Sequence, residues 1–212
     1  MKKCLIIPDS FKGTLTSSEV CGIMKTKLAE AFPDSVIRAV PAADGGEGTV
    51  DCFLHALGGE KVSLTVKGPR MTDIRSFYGI SGDTAVIEMA AAAGLHLAGD
   101  PKDPSAATTY GVGQLISDAI GRGCRKIVLG LGGSCTNDGG AGAAAALGAR
   151  FTDSEGRDFI PTGGTLARIA DIDLTLLKTR LKDVDVTAIC DIDNPVYGTN
   201  GAAFVFAPQK GA

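Results

Sequence analysis

The chain has 212 residues, 44% of them hydrophobic, with 21 basic and 24 acidic side chains and a net charge of −3. That length has room for one large α/β domain or two small ones. So weak a charge excludes the field that draws nucleic acid or an anionic membrane surface, which leaves a small molecule as the default partner. Twenty-nine glycines, clustered in short runs without a fixed period, predict many tight turns, not collagen or a flexible linker.

The six cysteines (Cys4, Cys21, Cys52, Cys124, Cys135 and Cys190) are widely spaced, form no C-x-x-C pair and sit mostly in apolar runs. They read as reduced core residues of a cytoplasmic protein. A zinc site would need clustered Cys and His ligands, and His55 and His96 are the only histidines. Met1-Lys2-Lys3 leads into a short apolar run ended by Pro8, too short for a signal-peptide core, and no apolar stretch reaches the ~20 residues of a membrane span. The expectation is a soluble, cytoplasmic protein.

In chain order, the run at 4–7 predicts a buried central strand. Thr16-Ser17-Ser18-Glu19 is a capping box opening a helix that sets Val20, Ile23, Met24, Leu28 and Ala31 on one face and stops at Phe32-Pro33. A second strand follows at 35–40. A second helix carries Val50, Phe53, Leu54 and Leu57 and closes at Gly58-Gly59. Three strand-like runs at 62–66, 75–80 and 85–89 predict a β-meander. A helix at 110–120, a buried strand at 126–131, an Ala- and Gly-rich helix at 139–149 and a strand at 184–190 complete the pattern. Strand and helix signals alternate at the start, so the fold class is α/β, with a mainly parallel sheet flanked by helices. The expected division is a Rossmann-like or flavodoxin-like first domain beginning at 1–70 and a second α/β domain at 71–212.

Four loops follow strand-like runs, where open α/β sheets place their ligands. In Pro8-Asp9-Ser10-Phe11-Lys12-Gly13-Thr14, Asp9, Ser10 and Lys12 offer a carboxylate, a hydroxyl and an ammonium suited to neutralising phosphoryl charge; the alternative is an Asx-type turn with a solvated lysine. In Ala43-Asp44-Gly45-Gly46-Glu47-Gly48-Thr49, Gly45 and Gly46 permit close approach to the backbone. Asp44 and Glu47 could hold Mg²⁺ or orient a hydroxyl, unless Asp44 is only a helix cap. The third loop runs Gly130-Leu131-Gly132-Gly133-Ser134-Cys135-Thr136-Asn137-Asp138-Gly139-Gly140. It reads as an anion cradle of backbone N–H groups backed by a helix N-terminus, or else as a close-packed turn. It is neither a Walker A loop nor a dinucleotide fingerprint. In Cys190-Asp191-Ile192-Asp193-Asn194-Pro195 the i, i+2 spacing puts Asp191 and Asp193 on one side of extended backbone, where both could reach one hard cation; a turn held by Asn194-Pro195 is the alternative. Both histidines read as packing residues. Glu88, amid apolar neighbours, should be functional or paired, because burying a lone carboxylate is costly.

These four loops, with Ile87-Glu88-Met89-Ala90, closely resemble the bacterial glycerate kinase family, in family order and along the whole chain. The resemblance implies a two-domain α/β kinase with its site in the cleft, transferring the γ-phosphoryl group of ATP to a hydroxyl of D-glycerate with Mg²⁺, 2-phosphoglycerate being the favoured product. Family members are longer. The chain therefore reads as an N-terminal portion whose first domain is completed by later sequence, and residues 1–212 alone are expected to turn over little substrate. The reading assigns Lys12 to phosphoryl charge and Asp9, Asp44 and Glu47 to orienting or deprotonating the hydroxyl. Ser10, Gly45, Gly46, Gly132, Gly133, Ser134, Thr136, Asn137 and Asp138 are assigned to substrate and phosphate, and Asp191 and Asp193 to the metal. A homo-oligomer stays open. Two other classes do too: a nucleotide- or carboxylate-binding regulatory module without catalysis, and an NAD-type oxidoreductase, although the latter lacks the third glycine of its fingerprint.

Overall fold

A computed structural model describes residues 2–212. The chain opens with β1 (Lys3–Ile6), α1 (Ser17–Ala31), β2 (Val36–Ala39) and α2 (Thr49–Leu57). β1 and β2 pair in parallel, Lys3 opposite Val36, as a separate two-stranded sheet. The capping box forms as its residues require: the Thr16 side chain accepts from the Glu19 amide, and the Glu19 carboxylate accepts from the Thr16 amide.

β3 (Glu60–Lys67), β4 (Asp73–Ser81) and β5 (Thr84–Glu88) make the expected antiparallel meander, followed by α3 (Ala90–Ala93) and α4 (Tyr110–Gly121). Then come β6 (Lys126–Gly130), α5 (Ala141–Ala146), a small antiparallel ribbon of β7 (Arg150–Thr152) and β8 (Asp171–Asp173), α6 (Thr175–Leu181), β9 (Asp185–Ile189) and α7 (Ala202–Phe206). The main sheet has the order β3-β4-β5-β6-β9, antiparallel through the meander and parallel across β5, β6 and β9. The α/β class holds, with helices packed on the sheet.

β5 is the strand buried on both faces. Ala85 and Ile87 join the core under α4 with Tyr78, Val112, Leu115 and Ile127, while Val86 and Glu88 alternate to the opposite face. There α2 lies against β4 and β5, with Val50 and Leu54 in contact range of Gly79. The small residues of α5 answer a real constraint: a Cβ on Gly113 of α4 would lie 2.3 Å from the Ala143 carbonyl oxygen, so α4 and α5 approach backbone to backbone. Among the described residues no helix is long and apolar enough to cross a membrane.

Three expectations need correction. β1 is not a doubly buried central strand, since Leu5 is 63% exposed. Two strands ~5 Å apart make too narrow a platform to cover both faces or the full stripe of a helix, and Ile23 and Met24 of α1 are accordingly exposed while Val20 and Cys21 are buried. The helix expected over 139–149 is only Ala141–Ala146. The boundary expected at residue 70 falls inside the β3–β4 hairpin, which is paired from Glu60–Ile80 to Lys67–Asp73, so β3 belongs with the main sheet.

Candidate active site

The parallel half of the sheet fixes where the loops meet. Glu88, Gly130 and Ile189 stand in register at the carboxyl ends of β5, β6 and β9, so the segments after all three leave the sheet at one level. The loop at 43–48, between β2 and α2, lies directly across them. The Gly132 amide donates to the Gly45 carbonyl at 3.0 Å, and the Leu131 amide to the Ile189 carbonyl at 3.2 Å. A Cβ on Gly130 would lie 2.3 Å from the Gly45 oxygen, and one on Gly132 would lie 2.8 Å from the Gly46 Cα. Backbones this close exclude every other residue type, which explains glycine at each of these positions.

The first loop joins from the side. The Lys12 ammonium lies 3.6 Å from an Asp44 carboxylate oxygen, and the other Asp44 oxygen accepts from the Gly46 amide at 3.0 Å. Ser17 ties the two loops together from beneath, its hydroxyl donating to the Pro8 carbonyl at 2.7 Å and accepting from the Ala42 amide at 2.9 Å. Asp9 accepts from the Ser10 amide at 2.6 Å. Glu47 approaches His96, Oε1 to Nδ1 3.2 Å, with both side chains more than half exposed. His96 is therefore at the rim of the loop cluster, not in packing, and His55 is exposed as well. Glu88 is paired, as one expected alternative required: its carboxylate accepts from the Val50 amide at 2.7 Å and caps α2 in place of Gly48, which has no side chain to do so. Burial pushes its carboxyl above the ordinary range, against the lowering effect of the backbone donors.

In the third loop the structure divides the work differently from the sequence. Asp138 is 1% exposed, and its carboxylate accepts from the amides of Thr109, Gly140 and Gly142 and the hydroxyls of Thr108 and Thr109. Thr109 Oγ1 in turn accepts from the Ala143 amide at 2.9 Å. The helix N-terminus expected to back an anion cradle is thus already consumed by Asp138 and Thr109, and Asp138 braces the loop, four donors meeting one carboxylate oxygen and the Gly140 amide the other. What remains for a ligand is the turn itself: among the described residues the amides of Gly133, Ser134, Thr136 and Asn137 find no acceptor. Gly133 takes a positive φ of 71°, and its carbonyl accepts from Leu95. The turn is held from behind by Lys210, whose Nζ donates to Ser134 Oγ at 3.0 Å and to the Thr136 carbonyl at 2.7 Å. Cys135, 1% exposed, has its thiol pushed up by burial, so it is a packing residue and not a nucleophile.

Asp191 and Asp193 extend from the end of β9 as exposed carboxylates, in a segment where the Asn194 side-chain Nδ2 donates to the Asn200 carbonyl at 2.9 Å. No group of three or more His, Cys, Asp or Glu side chains converges among the described residues. A two-carboxylate donor set fits a hard cation that keeps waters and takes phosphate oxygens, as Mg²⁺ does, and does not fit an all-protein cage.

With the loops assembled, relatives can be compared. The family model described as the glycerate kinase family matches residues 4–212. The chain belongs to the glycerate kinase family. The glycerate kinase of Bacillus subtilis (strain 168) is 46% identical over 213 residues, covering 99% of this chain and 56% of that protein. The glycerate 2-kinase of Escherichia coli (strain K12) gives the same identity and coverage. A crystal structure from Salmonella typhimurium LT2, assigned as glycerate kinase 2, superposes with a TM-score of 0.86 at 43% identity, covering 100% of this chain and 57% of that one. The chain thus spans a little over half the length of the glycerate kinases it matches.

Ser17, His96 and Lys210 went unremarked as site residues in the sequence. Ser17 was legible only as part of a capping box. His96 and Lys210 act on loops 49 and about 75 residues away, beyond any local pattern.

Proposed function

We propose that the protein to which this chain belongs transfers the γ-phosphoryl group of ATP to a hydroxyl of D-glycerate, giving 2-phosphoglycerate and ADP. The observation that carries the reading is the convergence of the loops after β2, β6 and β9 through glycine backbones, with Lys12 against Asp44 beside them. The names of its relatives point to the same substrate. Phosphoryl transfer needs little covalent chemistry from a protein and much positioning and charge, and this cluster supplies positioned groups of both signs.

In this reading Lys12 leaves its long contact with Asp44 to neutralise charge on the transferring group. The free amides of the turn, those of Gly133, Ser134, Thr136 and Asn137, hold an oxyanion of the nucleotide or the glycerate carboxylate. Asp9, Asp44 and Glu47, with Ser10, Gly45 and Gly46 beside them, orient the acceptor hydroxyl and take its proton. Asp191 and Asp193 would hold Mg²⁺, which when bound screens the phosphate oxygens. Two structural units, one built on β1 and β2 and one on the main sheet, would form the walls of the cleft, and the location is cytoplasmic.

The test is thermal denaturation of a protein carrying this chain at the full length of its relatives, with saturating ligand, since a ligand that binds only the native state raises its melting temperature. MgATP is expected to raise it by several degrees, further with D-glycerate, while NAD leaves it unchanged. A shift with NAD and none with MgATP overturns the reading.

A further inference from the structure

We propose that Lys210 is the buried cation of an oxyanion site on the turn at 134–137, a positioning residue whose charge is balanced by the substrate's own oxyanion; this rests on the phosphotransferase reading above. Lys210 comes from the 3₁₀ turn Pro208–Lys210 and is 8% exposed. Both acceptors of its ammonium, Ser134 Oγ and the Thr136 carbonyl, are neutral. Among the described residues no carboxylate lies within 4.0 Å of it. A buried charge without a counter-ion is costly to hold.

That cost is visible in the ammonium itself. Burial depresses its pKa, and Cys135 and Asp138 oppose the shift only in part. Asp138 is engaged by five donors of its own and is not drawn into a pair with Lys210. A lysine serving only to tie its 3₁₀ turn to this loop would gain stronger, charge-assisted hydrogen bonds, but a neutral donor would hold Ser134 and Thr136 without the cost of burying a charge. The expense is explained if the ligand supplies the missing negative charge. The same turn carries amides without acceptors, among them those of Thr136 and Asn137. One oxyanion at the turn would satisfy both and would sit over a cation already fixed in place by Ser134 and Thr136.

The ligand chemistry is a compact oxyanion, available from a nucleotide phosphate or from the carboxylate of a small hydroxy acid, and the experiment separates the two. Calorimetric titrations of MgATP and of D-glycerate, in separate arms, are made on a protein carrying this chain at the full length of its relatives, as wild type, as Lys210→Met, which keeps the apolar stem, and as Lys210→Arg, which keeps the charge. Thermal denaturation of each variant checks folding. Lys210→Met is expected to raise Kd at least about tenfold for one ligand and at most about twofold for the other, and Lys210→Arg to recover most of the loss. The ligand that responds identifies the oxyanion. Unchanged Kd values for both ligands in a folded Lys210→Met overturn the proposal while leaving the kinase reading intact. Failure of the full-length wild-type protein to bind either ligand overturns that reading and the proposal with it. Should Lys210→Met not fold, amide ¹H–¹⁵N shifts of the wild-type chain titrated with inorganic phosphate decide: the Thr136 and Asn137 signals are expected to move saturably, and still signals overturn the proposal.

Discussion

Asp138 is a point where a single change should be felt through the whole third loop. Its carboxylate, 1% exposed, receives Thr109 N at 2.7 Å, Thr109 Oγ1 at 2.8 Å, Gly140 N and Gly142 N at 3.1 Å, and Thr108 Oγ1 at 3.3 Å. In Asp138→Ala the threonine hydroxyls can rotate to other acceptors, but three amides are left unpaired in a buried place. At roughly 1–3 kcal/mol for each orphaned donor, relieved in part by entering water, the loss is about 4 kcal/mol, a large share of the roughly 5–15 kcal/mol that holds a domain. For a chain of this size that is a fall in Tm of roughly 8–16 °C. Asp138→Asn should cost less. Its carbonyl can replace the oxygen that serves Thr108, Thr109 and Gly142, leaving its amide against Gly140 N alone, for about 1–3 kcal/mol. Urea unfolding followed by far-ultraviolet circular dichroism reads both values. An Asp138→Ala chain within about 1 kcal/mol of wild type would refute the bracing role and return Asp138 to the ligand-facing residues.

Other perturbations test the convergence of the loops. Gly130→Ala places a methyl group 2.3 Å from the Gly45 oxygen; it should destabilise the chain by at least about 2 kcal/mol and weaken binding of MgATP, and a fully stable variant would show that the loops do not touch as described. Glu88→Gln keeps an acceptor for the Val50 amide while removing the cost of ionising a buried group. Because burial raises the folded carboxyl above its ordinary value of 4.5, wild-type stability is fully present below that value and is lost as pH rises through the folded one. The stability of Glu88→Gln relative to wild type should therefore climb with pH across that window and then level off; urea midpoints that run parallel at every pH would contradict it. On the proposed role of its ammonium, acting on charge that develops during transfer, Lys12→Ala should lower turnover far more than it weakens ADP binding, and steady-state kinetics with unchanged turnover would make it a surface lysine.

Local chemistry was legible in the sequence and distant partnership was not. The capping box at Thr16, the meander and the strand at 126–130 follow from patterns a few residues long, and each formed nearly as read. The exposure of Leu5 depends on how many strands flank β1, which an apolar run alone does not encode. Glu88 was readable as functional or paired because a carboxylate in an apolar strand demands a partner, yet its partner, the Val50 amide, lies 38 residues away. The third loop is the instructive case. Its glycines marked a close approach, which the Gly45 and Gly46 backbones make. Its acid looked like a ligand group, however, because the threonines that occupy it, Thr108 and Thr109, lie about 30 residues upstream at the head of α4. The place of Lys210 behind the same loop was hidden for the same reason.

The central claim is that these loops serve phosphoryl transfer to glycerate, and the direct measurement is ADP release by a protein carrying this chain at the full length of its relatives, with MgATP and D-glycerate, with lactate, or with no acceptor. The account predicts release with D-glycerate that far exceeds the other two and appears as 2-phosphoglycerate in equal amount, with little turnover from residues 1–212 alone. Release independent of the acceptor, or none with D-glycerate, would contradict it.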